Sequence, residues 1–355
     1  MITKKLNDLI RYINKFRLYA RIGLRGVTPL RAYVMIRYWF LTAILKKEIP
    51  WLIEFSVTYR CQCRCKHCSV SNYFAEAGKK PELTTEQIKD VLSHAARMGI
   101  PKVDLFGGEP LLRKDVLDII EFGASRGLYM SLTTNAVALT QEMTRNLKKA
   151  GIACINISID STDKDEHDNG RGVAGLWQKA VDGIRYCHKS AVPCIASTFV
   201  TRDRISNFGK GRADDSHLKK IIDFTKELKA SGLRILFPII SGEWADKKQI
   251  EFTEDEKQRV IGNIDTSFAF IEGAYSVRRK HKVCQALSGK ILNISPYGDI
   301  QLCSAFTDTF GNIKDMPLAE LIRVMWSHPI FMMNKNGSCC NNVRLKRQVN
   351  ESNVN

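Results

Sequence analysis

The chain of 355 residues is long enough for one large domain or two ordinary ones, and 44% hydrophobic residues exclude a disordered or fibrous protein. Eleven cysteines with no cleavable signal sequence argue against a disulfide-stapled secreted domain and for reduced, cytoplasmic thiols that act as ligands. The formal charge of +17 is concentrated at the start, where residues 1–50 hold eleven Lys or Arg against Asp8 and Glu48, a net +9.

From Met1 to Leu24 the apolar residues recur with helical spacing. Ile2, Leu6, Leu9, Ile10, Ile13, Phe16 and Ala20 fall on one face, and Lys4, Lys5, Arg11, Lys15, Arg17 and Arg21 cover the other. A second run, Leu30 to Leu45, is rich in Tyr, Trp, Phe and Leu, yet Arg31 and Arg37 make it too short and too charged to span a bilayer. Residues 1–49 are therefore expected to form a basic amphipathic helical segment. It either lies on an anionic membrane surface or packs on the body of the protein with its basic face solvated. Nucleic acid is disfavoured as a partner, because the basic residues sit on an apolar-faced helix with no stacking platform.

From Pro50 short apolar strands alternate with amphipathic helices. Strands are expected at Trp51–Tyr59, Val103–Phe106, Tyr129–Thr133, Ile152–Ile159, Val192–Val200 and Leu233–Phe237. Helices are expected at Thr84–Arg97, Val116–Ser125, Gln141–Lys149, Trp177–His188 and His217–Lys229. Gly99, Gly127, Gly151 and Gly232 stand where helices stop and the next strand begins. Six βα units in this order specify an α/β fold with a parallel sheet, and in a parallel barrel the chemistry gathers after the carboxyl ends of the strands.

After the first strand comes RCQCRCKHCS, with Cys61, Cys63, Cys65 and Cys68. Cys61, Cys65 and Cys68 form CxxxCxxC, a loop that can place three soft thiolates around one inorganic centre. Cys63 is out of step and is expected to point away from the metal. Three ligands leave one iron of a four-iron cube free, whereas structural zinc wants four ligands. After the second strand comes Gly107-Gly108-Glu109-Pro110, where two glycines let backbone approach a ligand and Glu109 offers an acceptor for a cationic amine.

Both motifs at their strand ends resemble the radical S-adenosylmethionine superfamily, over Pro50 to roughly Phe270. The resemblance implies a partial (β/α)6 TIM-like barrel and a [4Fe-4S] cluster whose open iron chelates S-adenosylmethionine. It also implies reductive cleavage to a 5'-deoxyadenosyl radical, driven by a reductase such as flavodoxin or ferredoxin. It places Thr133-Thr134-Asn135 near the ribose, and Ser158 and Arg171 near the methionyl carboxylate. His67 falls where the family commonly has an aromatic. The charged stretch Arg202–Ser216 is a candidate lid.

Beyond Glu272, Cys284 and Cys303 form CX13GX4C around Gly298, with a β-hairpin from Ile291–Ser295 to Ile300–Leu302 and a helix near Leu318–Met325. With Cys339 and Cys340 this resembles the auxiliary-cluster extension called SPASM, or its shorter twitch form, though its cysteines suffice for one auxiliary cluster at most. Zinc held by Cys284, Cys303, Cys339 and Cys340 is the alternative. Cys154, Cys187 and Cys194 read as core thiols. The expected divisions are 1–49, the core 50–271, the auxiliary module 272–340, and a disordered polar tail 341–355. The expected function is that of a radical S-adenosylmethionine enzyme acting on a membrane lipid or isoprenoid-like molecule, the latter suggested by the basic N-terminus. The alternatives are a peptide maturase of the SPASM type and a zinc-stabilised nucleic-acid-binding protein.

Overall fold

The computed structural model describes residues 10, 13–14, 16–23, 26–209, 216–238, 252–272, 284–304 and 308–334. Cys339, Cys340 and the tail 341–355 lie outside the described residues. Seven parallel strands form the body, β1 (Leu52–Thr58), β2 (Lys102–Gly107), β3 (Tyr129–Thr134), β4 (Cys154–Ser158), β5 (Cys194–Phe199), β6 (Gly232–Leu236) and β7 (Ala269–Ile271). Six were expected within a residue or two; β7, only three residues long, was not. The sheet stays open, in the order β10-β9-β8-β1-β2-β3-β4-β5-β6-β7.

The expected hairpin is β8 (Ile291–Ile294) and β9 (Asp299–Gln301), and it is part of this sheet. β8 runs parallel to β1, opposing Ile291 to Leu52, and β9 and β10 (Thr309–Asn312) follow antiparallel. A partial barrel leaves its first strand with an unpaired edge, and β8 covers it. The helix expected near 318 is Leu318–Ser327, burying Leu318, Leu321, Ile322 and Met325.

Strand alternation divides the two faces of the sheet. Ile53, Phe55 and Val57 join the apolar core shared with the surrounding helices. The helix Thr85–Met98 starts at a capping box of Thr84 with Gln87 and adds Ile88, Val91, Leu92 and Ala95 to that core. The intervening residues of the strands turn inward and are polar. Asp104 accepts hydrogen bonds from Ser131, from Thr133 Oγ1 at 2.9 Å and from Asn156 Nδ2 at 3.2 Å. Arg234 pairs with Glu272 at 3.0 Å and donates to Ser197 Oγ at 2.9 Å.

Gly99, Gly127 and Gly151 take the left-handed conformation expected of helix stops. Gly232 does not. It opens β6, the left-handed residue before it is Lys229, and a Cβ at Gly232 would stand 3.1 Å from the Phe268 carbonyl. Close strand approach, not a helix cap, is what this glycine provides.

The N-terminal segment closes the amino end of the barrel. Helix α1 (16–23) buries Leu18 and Ile22 against Tyr129, Ala153 and Cys154, where strands begin. The apolar face does not pack on the body as the second expected alternative had it, because Ile10, Ile13 and Phe16 are exposed. Arginines of both helices donate instead to carbonyls at helix ends and in the loops that lead into the strands. Helix α2 (Pro29–Trp39) sends the buried Arg31 to the carbonyls of Leu128 and Gly151, and Arg37 to those of Ala96 at 3.0 Å and Arg97 at 2.7 Å. Arg21 donates to the carbonyls of Ser231 and Ser267.

The candidate lid is also reassigned over its described part. Residues 203–209 pack down, with Ile205 and Phe208 buried and Arg204 paired to Glu166 at 2.7 Å. Residues 210–215 lie outside the described residues.

Inside the barrel, burial and the nearby Glu272 and Asp104 carboxylates push Glu54 up to about 8, against the pull of Arg234 and Lys102. An acid raised in the folded state stabilises most below its unfolded value of 4.5 and loses that contribution as pH rises through 8. Glu54→Gln should therefore gain stability over wild type between pH 5 and pH 8, by up to about 1.4 kcal/mol per pH unit. Denaturant melts at both pH values check this; a gain that shrinks with rising pH refutes it.

Candidate active site at the carboxyl end of the barrel

The carboxyl ends of β1 to β6 surround a cavity of about 210 Å³. The first loop supplies Cys61, Cys63, Cys65 and Cys68, all four lining the cavity. Backbone bonds from the fourth loop hold it in place: Arg64 N–H donates to the Arg171 carbonyl at 2.9 Å and Lys66 N–H to that of Gly170 at 3.3 Å. Cys63 does not point away as expected. It is buried, it hydrogen-bonds through its side chain to both Cys61 and Cys65, and Asn135 Nδ2 donates to its sulfur at 3.2 Å. In an extended loop, residues two apart share a side, so 61, 63 and 65 face the same way.

These contacts set the thiols apart. The hydrogen bond with Cys63 pulls Cys65 down to about 7 against the effect of burial, with help from the Arg171 guanidinium. Cys61 is lowered by the same neighbour. Cys63 itself is driven up as the shared proton donor, and burial lifts Cys68 to about 12.

The second loop is built around two glycines that nothing larger could replace. A Cβ at Gly107, whose φ is +129°, would lie 2.2 Å from the Thr58 carbonyl oxygen, and one at Gly108 2.2 Å from that of Arg60. Gly108 N–H and Glu109 N–H in turn donate to those carbonyls at 2.7 and 2.9 Å, tying this loop to the cysteine loop. Gly107 and Gly108 line the cavity; Pro110 is buried in a short turn beside it. Glu109 is fully buried behind the wall, not an open acceptor. Its carboxylate takes bonds from Leu111 N at 3.1 Å, Thr134 Oγ1 at 2.7 Å and Asn135 N at 2.8 Å. Burial raises it to about 7, and those three bonds work against the rise.

Asn135, Ser158 and Arg171 all reach the cavity. Arg171 Nη1 lies 3.8 Å from the Cys65 sulfur, and its Nε donates to Asp160 Oδ2 at 2.6 Å. Burial would raise Asp160, but Arg171 outweighs it and holds the carboxyl well below the usual range. The other oxygen of Asp160 is buried with no hydrogen-bond partner in the structure. Asp160 was absent from the expected site, although Ser158-Ile159-Asp160 at a strand end carried the signal. So was the helix Lys164–Arg171, capped by Asp163, which delivers Arg171. His67 packs 3.9 Å from Phe199 between ring centres, and burial lowers it to about 3, so it stays neutral.

The C-terminal module touches this site. Tyr59 stacks on Tyr73 and meets Tyr297 edge-on, and Ser304 Oγ donates to Ser69 Oγ at 3.2 Å, one residue beyond Cys68. Cys284 and Cys303 are partly exposed and pack against the core. Among the described residues no three Cys, His, Asp or Glu side chains are gathered for a single metal ion. The thiols of the first loop open instead on a shared space, a donor set that fits an iron–sulfur cluster.

Parallel barrel, thiol loop and glycine loop together define an enzyme whose cofactors meet at the strand ends. Residues 55–203 match the family model of the radical SAM superfamily, so the chain carries a radical SAM domain. That superfamily uses a [4Fe-4S] cluster and S-adenosylmethionine, which sets aside the zinc-stabilised nucleic-acid-binding alternative. An AdoMet-dependent heme synthase of Methanosarcina barkeri is 31% identical over 215 residues, 60% of this chain and 58% of that protein. A PqqA peptide cyclase of Bradyrhizobium diazoefficiens is 27% identical over 276 residues, 74% of this chain and 69% of its own length. The chain thus spans less than two thirds of the heme synthase. Streptococcus suis SuiB bound to precursor peptide SuiA shares the fold, with a TM-score of 0.66 at 15% identity over 86% of this chain and 76% of that one.

Gly108→Ala should break the junction of the two loops. Its Cβ meets backbone, which cannot swing aside, so the variant should lose about 2 kcal/mol or more of stability and most of its bound iron after anaerobic reconstitution. Thermal melts and iron assay check this; a variant with full iron and an unchanged melting point disproves it.

Proposed function

We propose that this protein binds a [4Fe-4S] cluster through Cys61, Cys65 and Cys68, cleaves S-adenosylmethionine reductively, and removes hydrogen from a peptide substrate. The observation that carries the reading is the closure of one cavity by the CxxxCxxC loop and the Gly107-Gly108 loop, hydrogen-bonded to each other. When bound, the cluster supplies the open iron and the electron for forming a 5'-deoxyadenosyl radical, the electron coming from a reductase such as flavodoxin or ferredoxin.

The chain's own residues bind, orient and exclude. Gly107 and Gly108 let the cofactor lie against bare backbone, which Glu109 holds rigid from behind. Asn135 and Ser158 offer polar contacts along its edge. Arg171, fixed by Asp160, presents positive charge to a carboxylate and to the Cys65 sulfur. His67, Phe199 and Phe106 wall the cavity with rings, which keeps water from a reactive radical. Ser197, Arg234 and Leu236 line its far part, where substrate enters.

Two observations favour a peptide over a lipid or isoprenoid substrate. The PqqA peptide cyclase aligns over 74% of the chain, and the N-terminal helices that motivated the lipid reading lie at the barrel end opposite the cavity. Cys284 and Cys303, with Cys339 or Cys340, would hold one auxiliary cluster.

After anaerobic reconstitution, Cys65→Ala should make no 5'-deoxyadenosine and bind little iron, whereas Cys63→Ala should keep wild-type iron content. Equal loss in both would assign Cys63 as a ligand and sink the three-thiol reading. Turnover should rise on adding the peptide fraction of host cells and not the lipid fraction; the reverse overturns the peptide assignment.

A further inference from the structure

The two N-terminal helices are built inside out. Arg21, Arg31 and Arg37 donate to backbone carbonyls of the body, Arg31 from a buried position, while Arg17 stays exposed. Their outer faces carry apolar side chains. On α2 and the turn of π-helix that continues it (Phe40–Ile44), the face opposite Arg31, Val34 and Tyr38 presents Tyr33, Ile36, Phe40 and Ile44, with Trp39 beside them. Ile36 is 68% exposed, Trp39 62% and Phe40 52%. On the N-terminal side of α1, Ile10, Ile13, Phe16 and Tyr19 are likewise exposed, Phe16 by 68%. Met35 of α2 packs against the same cluster that holds Leu18 and Ile22 of α1. Both therefore lie across the same end of the barrel.

A soluble surface does not gather this many large apolar side chains without a reason. The composition indicates what covers them. Trp39, Tyr33 and Tyr19 are amphipathic rings of the kind that settle at a membrane–water boundary. The charge around them is mainly positive: Lys46 and Lys47 are exposed at the end of the second helical run beside a single acid, Glu48, and residues 1–50 carry a net +9. Among the described residues no helix is long and apolar enough to cross a membrane. An apolar face ringed by cations fits a surface that is anionic outside and apolar just beneath, so that burial and charge attraction add.

We propose that the amino end of the barrel docks on an anionic lipid bilayer through Phe16, Tyr33, Ile36, Trp39 and Phe40. The catalytic cavity then opens away from the bilayer, toward substrate arriving from the aqueous side. The inference stands apart from the reaction, since it concerns the end of the barrel that no cofactor reaches.

Flotation of the full-length protein with vesicles tests it. The chain should float with phosphatidylglycerol-containing vesicles at low salt, and at least about tenfold less with phosphatidylcholine alone or in 0.5 M salt. Ile36→Asp with Phe40→Asp should cut flotation by about tenfold or more, with circular dichroism, iron content and vesicle-free 5'-deoxyadenosine formation unchanged. The milder pair Tyr33→Ser and Ile36→Ser should act in the same direction and covers the case in which the aspartates impair folding. Trp fluorescence should shift to the blue on anionic vesicles, a shift that Trp39→Phe removes. No flotation, flotation that ignores lipid charge, or undiminished binding in both variants overturns the proposal. So does self-association in sedimentation that the same substitutions abolish, since a second copy would then be the occupant.

Discussion

The protein depends on the shared direction of β1 to β7, because parallel strands sort chemistry to the two ends of the barrel. Every strand ends where another loop can reach the cavity, so the cysteine loop, the paired glycines, Asn135 and Asp160 meet although they are far apart in sequence. The opposite end receives the carboxyl ends of helices, whose last carbonyls have no partner within the helix. There the chain buries Arg31. Arg31 and Arg37 answer those carbonyls as side-chain donors from an added segment, and the same geometry turns the apolar residues of that segment to the outside.

At the catalytic end the polar groups form two braces with different energetics. Arg171 and Asp160 are both nearly inaccessible, and such a pair is costly to bury but more costly to break, because the survivor is left charged without a partner. It fixes the guanidinium beside Cys65. Glu109 works without a cation. Three hydrogen bonds hold its carboxylate, one from its own turn and two from the end of β3, and so tie the glycine loop to that strand. Polar groups that look free in the sequence are thus committed to each other, and the open contacts belong to the backbone and to the unpartnered oxygen of Asp160.

The C-terminal hairpin shows why a module boundary is hard to read from composition. Its strands have the turn and alternation of an independent unit, but β8 completes the sheet at β1, and Tyr59, Tyr73, Tyr297 and Gln301 interlock across the join. A chemical change at Cys303 is therefore close in the fold to the loop that carries Cys68.

The sequence by itself determined what depends on near neighbours: the periodicity of strands and helices, the cap at Thr84, the glycine loop and the CxxxCxxC spacing. Those signals act over a few residues, and the tertiary structure left them in place. Tertiary structure decided what depends on distant partners. It turned Cys63 into the cavity, because an extended loop held by Arg171 and Gly170 puts alternate residues on one side. It withdrew Glu109 behind the wall, because Asn135 and Thr134 arrive there from another strand. It decided which face of the N-terminal helices meets the body, because Arg31 and Arg37 find carbonyls of remote segments, and no local pattern records where those carbonyls will stand.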